Sequence, residues 1–94
     1  MSELEKLTAT DFTPRLHDRF RIDPGDRPSF EVELIEVGER PPVPGGRAPF
    51  SLVFAGGPSP PLPQRIYRVE HEELGPMDIF LVPIAVDRYE AVFS

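Results

Sequence analysis

Phe30-Glu31-Val32-Glu33-Leu34 is the stretch that decides the fold. Apolar and acidic residues alternate over five positions, and a period of two marks a strand with one buried face and one wet face. Glu31 and Glu33 therefore point outward as a solvated pair that also discourages edge-to-edge association. At Ile35 the phase breaks, because Ile35 and Val37 are apolar where the alternation calls for polar residues. A bulge, or a strand leaving one sheet for another, accounts for such a break.

The same period extends in both directions. Upstream, Phe20 and Ile22 alternate with Arg21, and Asp23-Pro24-Gly25-Asp26 has the composition of a turn. Downstream, the stretch from Gly38 to Pro49 carries four prolines and ends the strand. Phe50, Leu52 and Phe54 alternate with Ser51, Val53 and Ala55, so this strand is expected to be covered on both faces. A second proline-rich connection, Gly56 to Pro63, precedes Tyr67, Val69 and His71, which alternate with Arg68 and Glu70. After the turn-like Leu74-Gly75-Pro76, Asp78 to Ile84 is a nearly continuous apolar run suited to a central strand. Pro83 lies inside that run and, lacking an N–H, marks an edge, a bulge or the strand's end. Tyr89, Ala91 and Phe93 form the last alternation.

Helical signal is confined to the start. Thr8 and Asp11 have the spacing of a capping pair, and Phe12 and Leu16 could share one helical face. Pro14 limits any such helix to a turn or two, which would lid one end of the core. Six short strands and almost no helix predict an all-β chain: a small six-stranded antiparallel barrel or tight sandwich with a short N-terminal helical turn, residues 1–94 forming one domain. Closure removes the exposed edges that an open sheet would leave.

Composition narrows the function. The chain has 94 residues, 13 prolines, no Cys and no Trp. Leu, Ile, Val and Phe supply 28 of the 94 residues, above the roughly 20% floor for folded chains. Sixteen acids against ten bases leave a charge of −6, which argues against nucleic-acid binding and against an anionic membrane surface. Without Cys there is no disulfide framework and no thiolate zinc site. The opening Met1-Ser2-Glu3-Leu4-Glu5-Lys6 is acidic where a signal peptide is basic, and the longest apolar run, Ile79 to Val86, is too short to span a bilayer. A soluble, cytoplasmic protein is expected.

No catalytic motif emerges. His71-Glu72-Glu73 lacks the second His four residues on that a zinc helix requires, since Gly75 stands there. His71 is expected to cap a strand end through local hydrogen bonds. Ser51 sits inside a strand and Ser59 among prolines, with no nucleophile-elbow frame around either. Gly45-Gly46 and Gly56-Gly57 lack the Lys-Ser/Thr of a phosphate loop. No catalytic, metal or cofactor residue is assigned, and no cofactor is expected.

The prolines are placed unevenly. Four fall between Pro41 and Pro49 and four between Pro58 and Pro63, so eight of thirteen stiffen two connections longer than ordinary hairpin loops. Stiff loops lose less entropy on binding, which suits a contact surface for a protein partner. Pro60-Pro61-Leu62-Pro63-Gln64-Arg65 also matches the Pro-x-x-Pro-x-Arg spacing read by aromatic-grooved domains.

Most of the chain resembles a short, uncharacterised bacterial family built on a domain of unknown function. The residues that carry the resemblance begin with Leu7-Thr8, Asp11-Phe12, Phe50-Ser51-Leu52-Val53-Phe54 and Leu62-Pro63-Gln64. They continue through Ile66-Tyr67, His71, Leu74-Gly75, Phe80-Leu81-Val82-Pro83-Ile84 and Tyr89-Glu90-Ala91-Val92-Phe93. The resemblance implies a stand-alone protein associated with operons for tail-collar-type proteins related to phage tails, and it brings no catalytic residues. Ala85-Val86-Asp87-Arg88 is brief where members carry more residues.

The expectation is a non-enzymatic protein-binding or assembly module. Its partner would be a neighbour-encoded tail-collar-type protein or a second copy, met through Arg47, Leu62, Gln64 and Arg65. The alternative is a small-molecule-binding barrel whose mouth presents Tyr67, His71 and Tyr89 as polar handles. A hydrolase or isomerase relying on His71 and a carboxylate ranks third.

Overall fold

The computed structural model describes residues 7–41, 44, 48–58 and 60–93. Helix α1 (Ala9–Phe12) and a 3-10 turn (Thr13–Arg15) precede six strands: β1 (Arg19–Asp23), β2 (Phe30–Glu39), β3 (Phe50–Gly56), β4 (Arg65–His71), β5 (Gly75–Ala85) and β6 (Arg88–Phe93). They close in the order β1-β2-β3-β6-β5-β4, every neighbour antiparallel. The barrel is two three-strand meanders, β1–β3 and β4–β6, joined where β1 meets β4 and β3 meets β6. A barrel, not a sandwich, is the outcome.

Both breaks in the strand pattern are bulges. The β2–β3 register shifts between Leu34 and Glu36, so Ile35 is the extra residue and Val37 returns to the inner face opposite Leu52. The β5–β6 register shifts between Pro83 and Ala85, placing the residue without an N–H where the ladder is already interrupted. β3 is covered on both faces, with Ser51 and Val53 buried on the outside as well as Phe50, Leu52 and Phe54 within. Gly38 opposite Ser51 permits this, since a Cβ there would lie 2.9 Å from the Ser51 hydroxyl oxygen.

The interior is filled by side chains. Phe20 meets Phe54 edge-on at 5.2 Å between ring centroids, and Phe50 stacks on Phe93 at 4.5 Å. α1 closes this end by laying Phe12 against both rings, at 5.8 and 6.0 Å. The helix entry is held by the expected capping pair, Thr8 N–H donating to Asp11 Oδ2 at 2.7 Å. Leu16 departs from expectation. The helix ends at Phe12 and tightens through Pro14, so Phe12 is fully buried while Leu16 is turned outward, 38% exposed. The apolar run of β5 also departs, because only Met77, Ile79 and Leu81 face the core while Phe80 and Ile84 stand on the outer surface.

Candidate functional site

One end of the barrel is bounded by the β1–β2, β3–β4 and β5–β6 connections. Between the first two lies a groove of about 330 Å³, lined by Pro24, Arg27, Pro28, Ser29, Phe30, Pro58 and Leu62. Its walls follow from local sequence. Gly25, at φ +87°, allows the chain to turn, and its N–H donates to Asp23 Oδ1 at 3.0 Å. Gly57, at φ +99°, brings the backbone against Phe30, whose Cε2 would lie 3.0 Å from any Cβ added there.

The β3–β4 connection is held over this end by two phenols. Leu62 N–H donates to the Tyr89 hydroxyl at 2.8 Å, and the Tyr67 hydroxyl donates to Pro63 O. Burial pushes the Tyr67 phenol above its ordinary 10.0, while the neighbouring Arg65 guanidinium pulls the other way by less. Arg65 donates to Pro24 O at 2.7 Å, lies 3.6 Å from Asp26 Oδ1, and sits 4.7 Å above the Tyr67 ring. It is a strut between β4 and the β1–β2 connection.

The expected contact residues separate accordingly. Leu62 is 3% exposed: its side chain belongs to the core and forms the groove floor. Gln64 and Arg65 are exposed beside the groove. Arg47 lies outside the described residues. Pro24, Arg27, Pro28 and Phe30 complete the groove but were missed by sequence reasoning, because only the closed barrel brings their connection beside Pro58.

Tyr67, His71 and Tyr89 do not share a mouth. Tyr67 and Tyr89 lie toward the groove end with their hydroxyls engaged, while His71 closes β4 at the opposite end, paired with Gly75. A period-two pattern shows that these side chains point inward, but not how far apart along the barrel they sit.

At that opposite end His71 meets the carboxylate of Asp18. His71 Nε2 lies 2.9 Å from Asp18 Oδ2, and Nδ1 accepts from Glu73 N–H at 3.0 Å. A backbone N–H can donate to Nδ1 only through its lone pair, so the ring hydrogen is on Nε2 and is given to Asp18. Phe20 packs on the ring at 4.6 Å. Asp18 is positioned by a backbone pair, His17 N–H to Leu34 O and Leu34 N–H to Asp18 O. His17 itself takes φ +75° and places Nδ1 2.7 Å from Glu33 Oε2.

Asp18, His71 and Glu73 hold ligand atoms within 4.8 Å of one another. For a cation to take Nε2, the hydrogen would have to move to Nδ1, against the Glu73 N–H that points there. Arg15 Nε, 3.6 Å from Glu73 Oε1, adds a positive charge. Both imidazole nitrogens are already engaged, so His71 offers no free base. It caps the β4–β5 turn, as the sequence predicts.

A family model spans residues 7–93, from the start of the lid to the last strand. The chain belongs to DUF6916, a domain of unknown function. The DUF6916 match therefore takes in the groove and the His71 cap together. No curated protein and no solved structure matches the chain. Among the described residues, no helix is long and apolar enough to cross a membrane.

Proposed function

We propose that this DUF6916 chain is a non-enzymatic module that binds another protein through the groove at the barrel end. The observation that carries the reading is the groove itself, walled by three prolines and floored by Leu62 and Phe30. Proline walls and the phenol-held connection leave little conformational entropy to lose on binding. Arg27 stands exposed on the wall, a residue type that tends to anchor interfaces. The sequence resemblance supports a tail-collar-type protein encoded nearby as the partner, with this chain as an accessory or assembly subunit.

The test is reconstitution of the purified chain with that neighbour-encoded protein. A defined complex is expected, weakened by about tenfold or more in Arg27→Glu or Pro58→Asp, with both variants retaining the wild-type melting transition. No complex, or a complex indifferent to both substitutions, overturns the reading.

A further inference from the structure

We infer that a second copy of this chain packs on the outer face of β4–β6, away from the groove. Ile66 on β4 stands directly opposite Phe80 on β5, and both point outward, 63% and 50% exposed. Val82 faces Glu90 across β5–β6, and the antiparallel register then places Val92 in the row of Phe80. Ile84 and Val86 carry the patch into the β5–β6 turn. The face is apolar, and the interior it backs onto is already packed.

Area fits a copy of this chain as the occupant. An aromatic side chain covers about 150–250 Å², so a half-exposed Phe80 leaves on the order of 100 Å² in water. The whole patch comes to roughly 500 Å², near the top of the range for the largest patch on a monomer. An interface of ordinary size hides about 800 Å² per partner, of which roughly 57–65% is apolar, or about 450–520 Å². The charges set among these residues are Arg68, Glu70, Asp78, Asp87, Arg88 and Glu90; Arg68 Nε lies 3.9 Å from Asp78 Oδ1 and Arg88 Nη1 2.8 Å from Asp87 Oδ2, so both cations are paired within the face. A two-fold contact that crosses β5 over β5 is isologous and closes on itself.

Sedimentation equilibrium over a concentration series tests this. The wild-type chain is expected to approach twice its 10.6 kDa mass, and Phe80→Asp to raise the dimer dissociation constant by at least about tenfold. Phe80→Ser provides the same readout without a buried charge, and Glu31→Ser on β2 leaves the mass unchanged. The chain has no cysteine, so Val82→Cys reports the geometry directly: oxidation links two copies, and Glu31→Cys does not. A wild-type chain that stays monomeric up to about 0.5 mM, or a dimer that survives both Phe80 variants and links through Glu31→Cys, overturns the inference. Neither outcome bears on the groove, which Arg27→Glu tests separately.

Discussion

His71 Nε2 lies 2.9 Å from Asp18 Oδ2, joining residues 53 positions apart. The contact ties the segment entering β1 to the turn leaving β4, at the seam where the two meanders close. Its polarity is set from the other side of the ring, because the Glu73 N–H occupies Nδ1. The arrangement is a cap on a turn and a clasp on the barrel seam.

That geometry predicts the tautomer. Nitrogen-detected NMR of the imidazole should show His71 as the Nε2–H form, with Nδ1 as acceptor. An Nδ1–H form would contradict the Glu73 bond.

Removing the clasp should cost stability unequally. His71→Ala leaves the Glu73 and Leu74 N–H groups and Asp18 without their partner and strips a ring from Phe20; a loss of about 2–3 kcal/mol is expected. Asp18 is 44% exposed and can be rehydrated, so Asp18→Asn should cost about 1 kcal/mol or less. Urea midpoints at constant slope measure both.

Tyr89→Phe removes the acceptor for Leu62 N–H without changing the packing of the ring. Stability should fall by about 1–2 kcal/mol. Amide exchange at Leu62 should accelerate more than exchange in β3 or β6, since only the connection over the groove is released.

The chain should weaken in alkali through Tyr67. Burial raises its phenol above 10.0, so the unfolded chain ionises first and gains stability relative to the folded one as pH climbs past that value. The loss begins above pH 10 and runs upward through the folded-state pKa; well below pH 10 the phenol is neutral in both states and contributes no slope. Tyr67→Phe should flatten this alkaline limb, and the tyrosinate absorbance it removes should belong to a phenol titrating above 10.0.

Gly57 and Gly25 both have positive φ, +99° and +87°, but differ in surroundings. An added Cβ at Gly57 would lie 3.0 Å from Phe30 and 3.3 Å from Tyr89, whereas at Gly25 it meets nothing within 4 Å. Gly25→Ala should cost about 1 kcal/mol from backbone strain alone, and Gly57→Ala more, by displacing the groove wall. Equal melting temperatures would show that the wall yields freely.

Much of the architecture was legible in the chain. Alternation from Phe30 to Leu34, its break at Ile35, the odd position of Pro83 and the Thr8–Asp11 pair are local signals, and each reports a local event: a strand, two bulges, a cap. The run from Asp78 to Ile84 misled because an apolar residue looks the same whether it is covered or exposed. The Tyr67, His71 and Tyr89 cluster misled because inward direction says nothing of height along the barrel. Asp18 as the partner of His71 had no signal at all, since nothing in the intervening residues encodes which ends of β1 and β4 meet.

The sequence by itself determined that this is an all-β chain with proline-rich connections, because side-chain period and proline placement act within a few residues. Only the tertiary structure decided that the sheet closes, that Leu62 turns inward while Phe80 turns out, and that Pro24 and Pro58 form one groove. Those outcomes depend on the pairing of β1 with β4 and of β3 with β6, contacts between residues far apart in the chain. Such pairing is settled by how the two meanders bury their inner faces against each other, which local composition does not specify.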